Sequence, residues 1–214
     1  MIIMKVAKYY HSSKKRALDI VLSLLLIFLI SPFAIIFFLY FKIFIGGPLI
    51  YKQLRNGKNK KIFTLYKIRT MNIGADKLQK KLQKLNQAPY PMFKIDNDPR
   101  FIAIGKKMSA FGLDEIPQLL NILKGEMSFV GPRPLPVDEG NLLDKTWDFR
   151  YMVKPGILSK WALSPDRHKS LSAWKKLELD DLKNGSLKTD IEIIFRAFSS
   201  VLVAKMIKNI FQKK

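Results

Sequence analysis

Cysteine is absent from this chain, and histidine occurs only at His11 and His168. Without cysteine there is no disulfide scaffold and no thiolate metal site, which fits a reducing compartment. Two histidines so far apart do not suggest a histidine metal centre or a nucleophilic triad. Acidic residues are scarce as well, 17 Asp+Glu against 38 Lys+Arg, for a formal charge of +21. A surplus of that size calls for a polyanionic partner: nucleic acid, anionic lipid or a phosphorylated substrate. No internal repeat or low-complexity linker is evident. The 214 residues suit one domain with a modest core and appendages.

Long apolar runs are few, and one dominates. From Ile20 to Phe41 no charged residue occurs, and at about 1.5 Å per residue that stretch could cross a hydrocarbon core of roughly 30 Å. No small-residue cleavage site follows it, so it does not read as a cleavable secretory signal. Two features weigh against a plain spanning helix. Pro32 removes a backbone hydrogen bond near the middle, with Ser31 placed to satisfy a freed carbonyl. Both flanks are basic, Lys14, Lys15 and Arg16 before, Lys42, Lys52 and Arg55 after, and this assigns both ends to the cytoplasm. A helix broken at Ser31-Pro32 that enters and leaves on one face reconciles the two signals.

Farther along, Leu49–Gln53 and Lys61–Arg69 are rich in aromatic and branched residues. They flank Asn56-Gly57, a hairpin-turn signal. Lys67 and Arg69, two apart, would share one face. Ile73–Gln87 reads as an amphipathic surface helix, with Leu78, Leu82 and Leu85 on one stripe. Pro132, Pro134 and Pro136 predict a stiff loop fixing Arg133. Ile191–Phe211 mixes large apolar residues with Arg196, Lys205 and Lys208 and ends in Lys213-Lys214. It suits an interfacial helix on anionic lipid, or a helix packed on the core. Trp147, Trp161 and Trp174 fit either setting.

Against this basic background Asp114-Glu115 stands out. Pro117 is tolerated only in a first helical turn and Gly125 reads as a C-cap, so Asp114 lies at a helix start, where negative charge is favoured. Adjacent side chains point about 100° apart, so one carboxylate can attack while its neighbour holds a cation. Taken alone, the pair reads more simply as an aspartate cap and a solvated glutamate. Phosphoryl transfer needs a nucleophile, a hard cation across phosphate oxygens and fixed positive charge. Lys67, Arg69, Arg133 and Arg150 could supply that charge, but in so lysine-rich a chain each taken singly reads as a solvated or lipid-facing charge.

The pair sits in the string Asp114-Glu115-x-Pro117-Gln118-Leu119-x-Asn121-x-Leu123-x-Gly125, followed by Met127-Ser128-Phe129-Val130-Gly131-Pro132-Arg133-Pro134. The same order continues on both sides: Lys15-Arg16-Ala17-Leu18-Asp19, Ser31-Pro32, Gly47-Pro48-Leu49-Ile50-Tyr51, Tyr66-Lys67-Ile68-Arg69-Thr70-Met71, Asp98-Pro99-Arg100 and Lys154-Pro155-Gly156-Ile157. Over residues 14–157, and more weakly to 194, the chain resembles the bacterial sugar transferases, the small monotopic phosphoglycosyl transferases.

The resemblance implies an α+β, mainly helical protein with a re-entrant N-terminal membrane helix (1–45), a catalytic domain with a small β-hairpin (46–190) and a basic amphipathic C-terminal helix (191–214). It implies Mg²⁺-dependent transfer of a sugar 1-phosphate from a UDP-sugar to undecaprenyl phosphate, with release of UMP. Asp114 would be the nucleophile and Glu115, with Asp114, the metal ligand. Lys67, Arg69, Arg133, Pro134 and Arg150 would bind phosphate or nucleotide. Ser31 and Pro32 would form the re-entrant kink, and Lys15 and Arg16 would contact lipid head groups. The expected setting is the cytoplasmic face of a bacterial inner membrane, without nucleic acid, with a homodimer and downstream glycosyltransferases as further partners. In two places the chain departs from the family. Around Ser109–Gly112 a family arginine is missing, with Lys106 and Lys107 the nearest cations. Leu158–Ala162 replaces the usual Thr-Gly-Leu-Ala-Gln. These departures leave room for a catalytically silent relative that serves as an assembly partner.

Overall fold

The computed structural model describes residues 6–165 and 170–211, with side chains to Ser199. His168, Lys205, Lys208, Lys213 and Lys214, used in the reading above, lie outside the described residues or side chains. Helix dominates. α1 (Ser13–Tyr40) passes through Pro32 and continues as a π-type turn over Phe41–Ile45. Pro32 has no N–H to offer the Phe28 carbonyl, and the Ser31 hydroxyl donates to it instead at 2.9 Å. The outer part of α1 is bare: Phe28, Phe33, Ile35 and Ile36 are each at least 65% exposed. A face so apolar and so open needs a non-aqueous neighbour.

The root of α1 belongs to the core. Lys15, Asp19 and Ser23 are buried. Lys15 Nζ pairs with Asp190 at 2.5 Å and with Asp19 at 3.5 Å. Asp19 in turn accepts from the Ser128 hydroxyl and the Phe129 N–H. Arg16 donates to the carbonyls of Ile122 and Leu123. Lys15 is thus an internal ion-pair partner and not a lipid contact, because two carboxylates compensate it out of water.

Two strands form the hairpin: β1 (Ile50–Asn56) pairs antiparallel with β2 (Ile62–Ile68). The connection is longer than Asn56-Gly57 predicts, since Asn56 still pairs with Ile62 and the positive-φ residues are Asn59 and Lys60. Phe63 and Leu65 point into the core. Ile73–Gln87 is not an α-helix. It is a run of turns closed mainly by i→i+3 bonds, with one 3₁₀ turn at Gln83–Leu85. Lysines at 77 and 81, and at 80 and 84, would repel across each helical turn, and Leu78 and Leu85 remain exposed.

α2 (Gly105–Ala110) and α3 (Gln118–Lys124) flank the Leu113–Glu115 turn. A short parallel pair, β3 (Ser128–Val130) and β4 (Gly156–Leu158), was not apparent from the sequence. It joins two motif strings: a Cβ on Gly156 would stand 2.1 Å from the Gly131 nitrogen, so only glycine permits this approach. α4 (Val137–Asn141) and α5 (Lys160–Leu163) are short. α6 (Leu171–Asn184) buries Trp174 and Glu178. α7 (Leu187–Phe211) starts before residue 191, buries Asp190 and Ile193 on one side, and leaves Ile191, Phe195 and Phe198 exposed on the other. Its root is therefore core, and the division at 190/191 falls inside a helix. All three tryptophans are buried, with Trp174 4.9 Å from both Trp147 and Trp161.

Candidate active site

Asp114 is delivered by a tight turn. Gly112 takes a left-handed conformation (φ 68°), Leu113–Glu115 form one 3₁₀ turn, and Pro117 caps α3. The turn buries Asp114 to 4% exposure. From the neighbouring hairpin, Lys67 Nζ reaches Asp114 Oδ2 at 3.4 Å and Glu115 Oε1 at 3.2 Å. Burial pushes the Asp114 carboxyl above the usual aspartate range; Lys67 opposes that shift, and the negative charge of Glu115 adds to it. The result is a desolvated carboxylate beside one lysine.

Asp114 opens onto a cavity of about 380 Å³, which Lys67, Arg55, Arg69, Arg100, Arg133 and Trp161 help to line. Arg133 is solvent-exposed, with its guanidinium 5.7 Å from the Trp161 ring centre. Its backbone is anchored from behind, where the carbonyl accepts from Arg150 and the N–H donates to Glu178. Trp161 comes from the departing Leu158–Ala162 segment, so that stretch builds a wall of the cavity. Ser109, where the missing arginine would fall, also lines it. Lys106 donates instead to Asn97, and neither Lys106 nor Lys107 lines the cavity.

The remaining expected clamp residues are placed differently. Arg69 faces the cavity, but three of its five donors go to the carbonyls of Pro48 (2.8 Å), Met71 (3.2 Å) and Gly46 (2.5 Å), and its face lies on Phe41. It fastens the far end of the apolar helix to the hairpin. Arg150 does not line the cavity. It is 3% exposed, pairs with Glu178 at 3.1 Å and packs against Trp147 and Trp174. Pro134 likewise stays outside, its carbonyl accepting from Arg55 Nη1 at 2.8 Å.

Arg55 and Arg100 were not singled out from the sequence. Arg55 is buried, and both burial and Arg133 push its pKa down to about 10. Arg100 is held by a bidentate pair with Asp98. The available signals were the Tyr51-Gln53-Arg55 alternation along one strand face and the Asp98-Pro99-Arg100 string itself.

Among the described residues no three His, Cys, Asp or Glu side chains group as a metal site. Asp114 and Glu115 do converge on one cation, Lys67 Nζ. That donor set fits a hard divalent ion that completes its shell with substrate phosphate and water.

The sequence model of the bacterial sugar transferases matches residues 10–204. Among curated relatives, galactosyl transferase CpsE of Streptococcus agalactiae serotype III is 38% identical over 202 residues, covering 94% of this chain and 44% of its own length. Undecaprenyl-phosphate galactose phosphotransferase of Salmonella typhimurium is 36% identical over 193 residues, covering 88% of this chain and 40% of its own length. Exopolysaccharide production protein ExoY of Sinorhizobium fredii is 32% identical over 195 residues, covering 89% of this chain and 86% of its own length. The chain thus spans less than half of two of these relatives and most of the third.

Proposed function

The chain belongs to the bacterial sugar transferase family, and on that premise we propose that it moves a sugar 1-phosphate from a UDP-sugar to undecaprenyl phosphate, releasing UMP. The observation that carries this reading is the buried, lysine-steadied carboxylate of Asp114 at a cavity rich in guanidinium groups. The name of the Salmonella relative, an undecaprenyl-phosphate galactose phosphotransferase, supports the lipid acceptor.

In the first step an Asp114 carboxylate oxygen attacks the phosphorus that bears the sugar. The bond to the UMP oxygen breaks, and that oxygen leaves with the electron pair. An aspartyl phosphosugar remains. In the second step an oxygen of the lipid phosphate attacks the same phosphorus, the acyl phosphate bond breaks, and the Asp114 carboxylate is restored. Arg133 and Lys67 supply fixed positive charge where the phosphoryl oxygens sit. Desolvation makes the ionised Asp114 a stronger nucleophile, and Lys67 favours that ionised form. Mg²⁺ held by Glu115 and Asp114 would neutralise phosphate charge.

The same reading sets the protein on the cytoplasmic face of the inner membrane. Residues Lys15 to Asp19 at one end of the apolar helix, and Phe41 and Gly46 just beyond the other, contact the same globular body. This supports entry and exit on one side, with Ser31-Pro32 at the turning point. Tags at residues 1 and 214 are then both expected in the cytoplasm, and Pro32→Leu should move some molecules toward a spanning topology; periplasmic labelling of the wild-type N-terminus contradicts this arrangement.

A screen of UDP-sugars for UMP release, with undecaprenyl phosphate and Mg²⁺, tests the function. Arg133→Lys keeps the charge but loses the fork, so turnover on the accepted sugar should fall roughly tenfold or more while the fold is retained. Turnover equal to wild type would remove Arg133 from phosphate binding.

A further inference from the structure

A second cavity, of about 190 Å³, lies at the N-terminus of α1 and shares no lining residue with the catalytic one. Its cations are Arg16, Lys58, Lys154 and Lys15, beside His11, and its one carboxylate is Asp19. The charge does not cancel. Lys15 and Asp19 are satisfied by each other, by Asp190 and by the β3 backbone and hydroxyl. Among the described residues Arg16 meets only the carbonyls that end α3, and Lys58 only His11 Nδ1, at 3.3 Å. Among the described residues Lys154 has no hydrogen-bond or ion-pair partner. Lys154 Nζ and Arg16 Nη2 approach one point, lying 3.5 and 3.8 Å from where a Cβ on Gly125 would stand.

Half-buried cations that face one another without a counter-ion are electrostatically unfavourable. Burial and the charges of Arg16 and Lys58 push the Lys154 ammonium below the usual lysine range. A tetrahedral oxyanion would offset this, accepting charge-assisted hydrogen bonds from Lys154, Lys58 and the outer edge of Arg16. The start of a 28-residue helix adds a favourable dipole on the same side.

We propose that this cavity is a second phosphate-type anion site, formed by Lys154, Lys58 and Arg16 and separate from the substrate cavity. The site needs no assumption about the transfer reaction. Val21, the first strongly exposed apolar residue of α1, follows Arg16 by little more than one turn. The phosphate can therefore be a phospholipid head group or a soluble phosphate.

The test titrates inorganic phosphate into the full chain in an uncharged detergent by calorimetry. Wild type should show saturable binding that weakens roughly tenfold in Lys154→Met and in Lys58→Met and persists in Lys154→Arg. The same titration in an Arg133→Lys background separates any phosphate taken up by the catalytic cavity. Repeating it on phosphatidylglycerol and phosphatidylcholine vesicles identifies the source. Loss of the phosphate signal on the anionic vesicles alone assigns a lipid head group, and an equal signal on both assigns soluble phosphate. Equal phosphate affinity in wild type and both methionine variants, or no saturable binding, overturns the proposal.

Discussion

Replacing Asp114 by asparagine is expected to abolish UMP release without lowering the melting temperature. The amide cannot form the acyl phosphate, so the first bond to phosphorus is never made. Stability should hold for a separate reason. Burial raises the Asp114 pKa in the folded protein, so this group favours folding below its unfolded pKa, and that contribution is lost as pH rises through the folded value. Ionising the side chain therefore carries a cost that asparagine does not incur. The same shift sets the acid limb of the rate. Activity should fall as pH drops through the Asp114 pKa, at a pH above that of an ordinary aspartate. Glu115→Gln leaves the nucleophile in place, so its activity should be very low but partly recover at high Mg²⁺.

Arg150→Met is expected to destabilise the fold by about 3 kcal/mol or more, the scale for leaving one partner of a buried ion pair uncompensated. Glu178 would keep the Trp174 indole N–H at 2.8 Å and the Arg133 N–H at 3.3 Å, but it would lose its one ion-pair partner among the described residues. Burial already raises the Glu178 pKa, and Arg150 opposes that shift. A raised folded pKa means that stability is lost as pH rises through it, so the variant should be weaker at pH 8 than at pH 5. Chemical denaturation at both values reads this directly, and unchanged midpoints would remove Arg150 from the scaffold. A secondary loss of turnover should follow, because the Arg133 carbonyl loses its donor.

These two residues show how far the sequence could be read. The turn that carries Asp114 was legible at its α3 side because Pro117 and Gly125 are local in the chain, while the left-handed Gly112 was not singled out. The hairpin was legible for the same reason, although its turn was displaced by a few residues. Arg150 was not legible as scaffold, since its partner Glu178 and the tryptophans around it come together only in the fold. Lys15 misled in the same way. A basic residue ahead of an apolar helix suggests lipid contact, and only the return of α7 brings Asp190 within 2.5 Å. Arg69 occupies its expected strand face, but nothing local foretells the three carbonyls that take its donors. Ile73–Gln87 failed by a different route. Its leucine spacing is helical, but the lysines repel at helical spacing and no partner buries the apolar stripe.

The catalytic centre is tested most directly by the intact mass of the full chain mixed with its UDP-sugar and Mg²⁺ in the absence of undecaprenyl phosphate. The account predicts wild-type protein heavier by one phosphosugar, the same adduct in smaller amount in Glu115→Gln, and no adduct in Asp114→Asn. An adduct that persists in Asp114→Asn, or wild type that releases UMP only when the lipid is present and never gains mass, would contradict it.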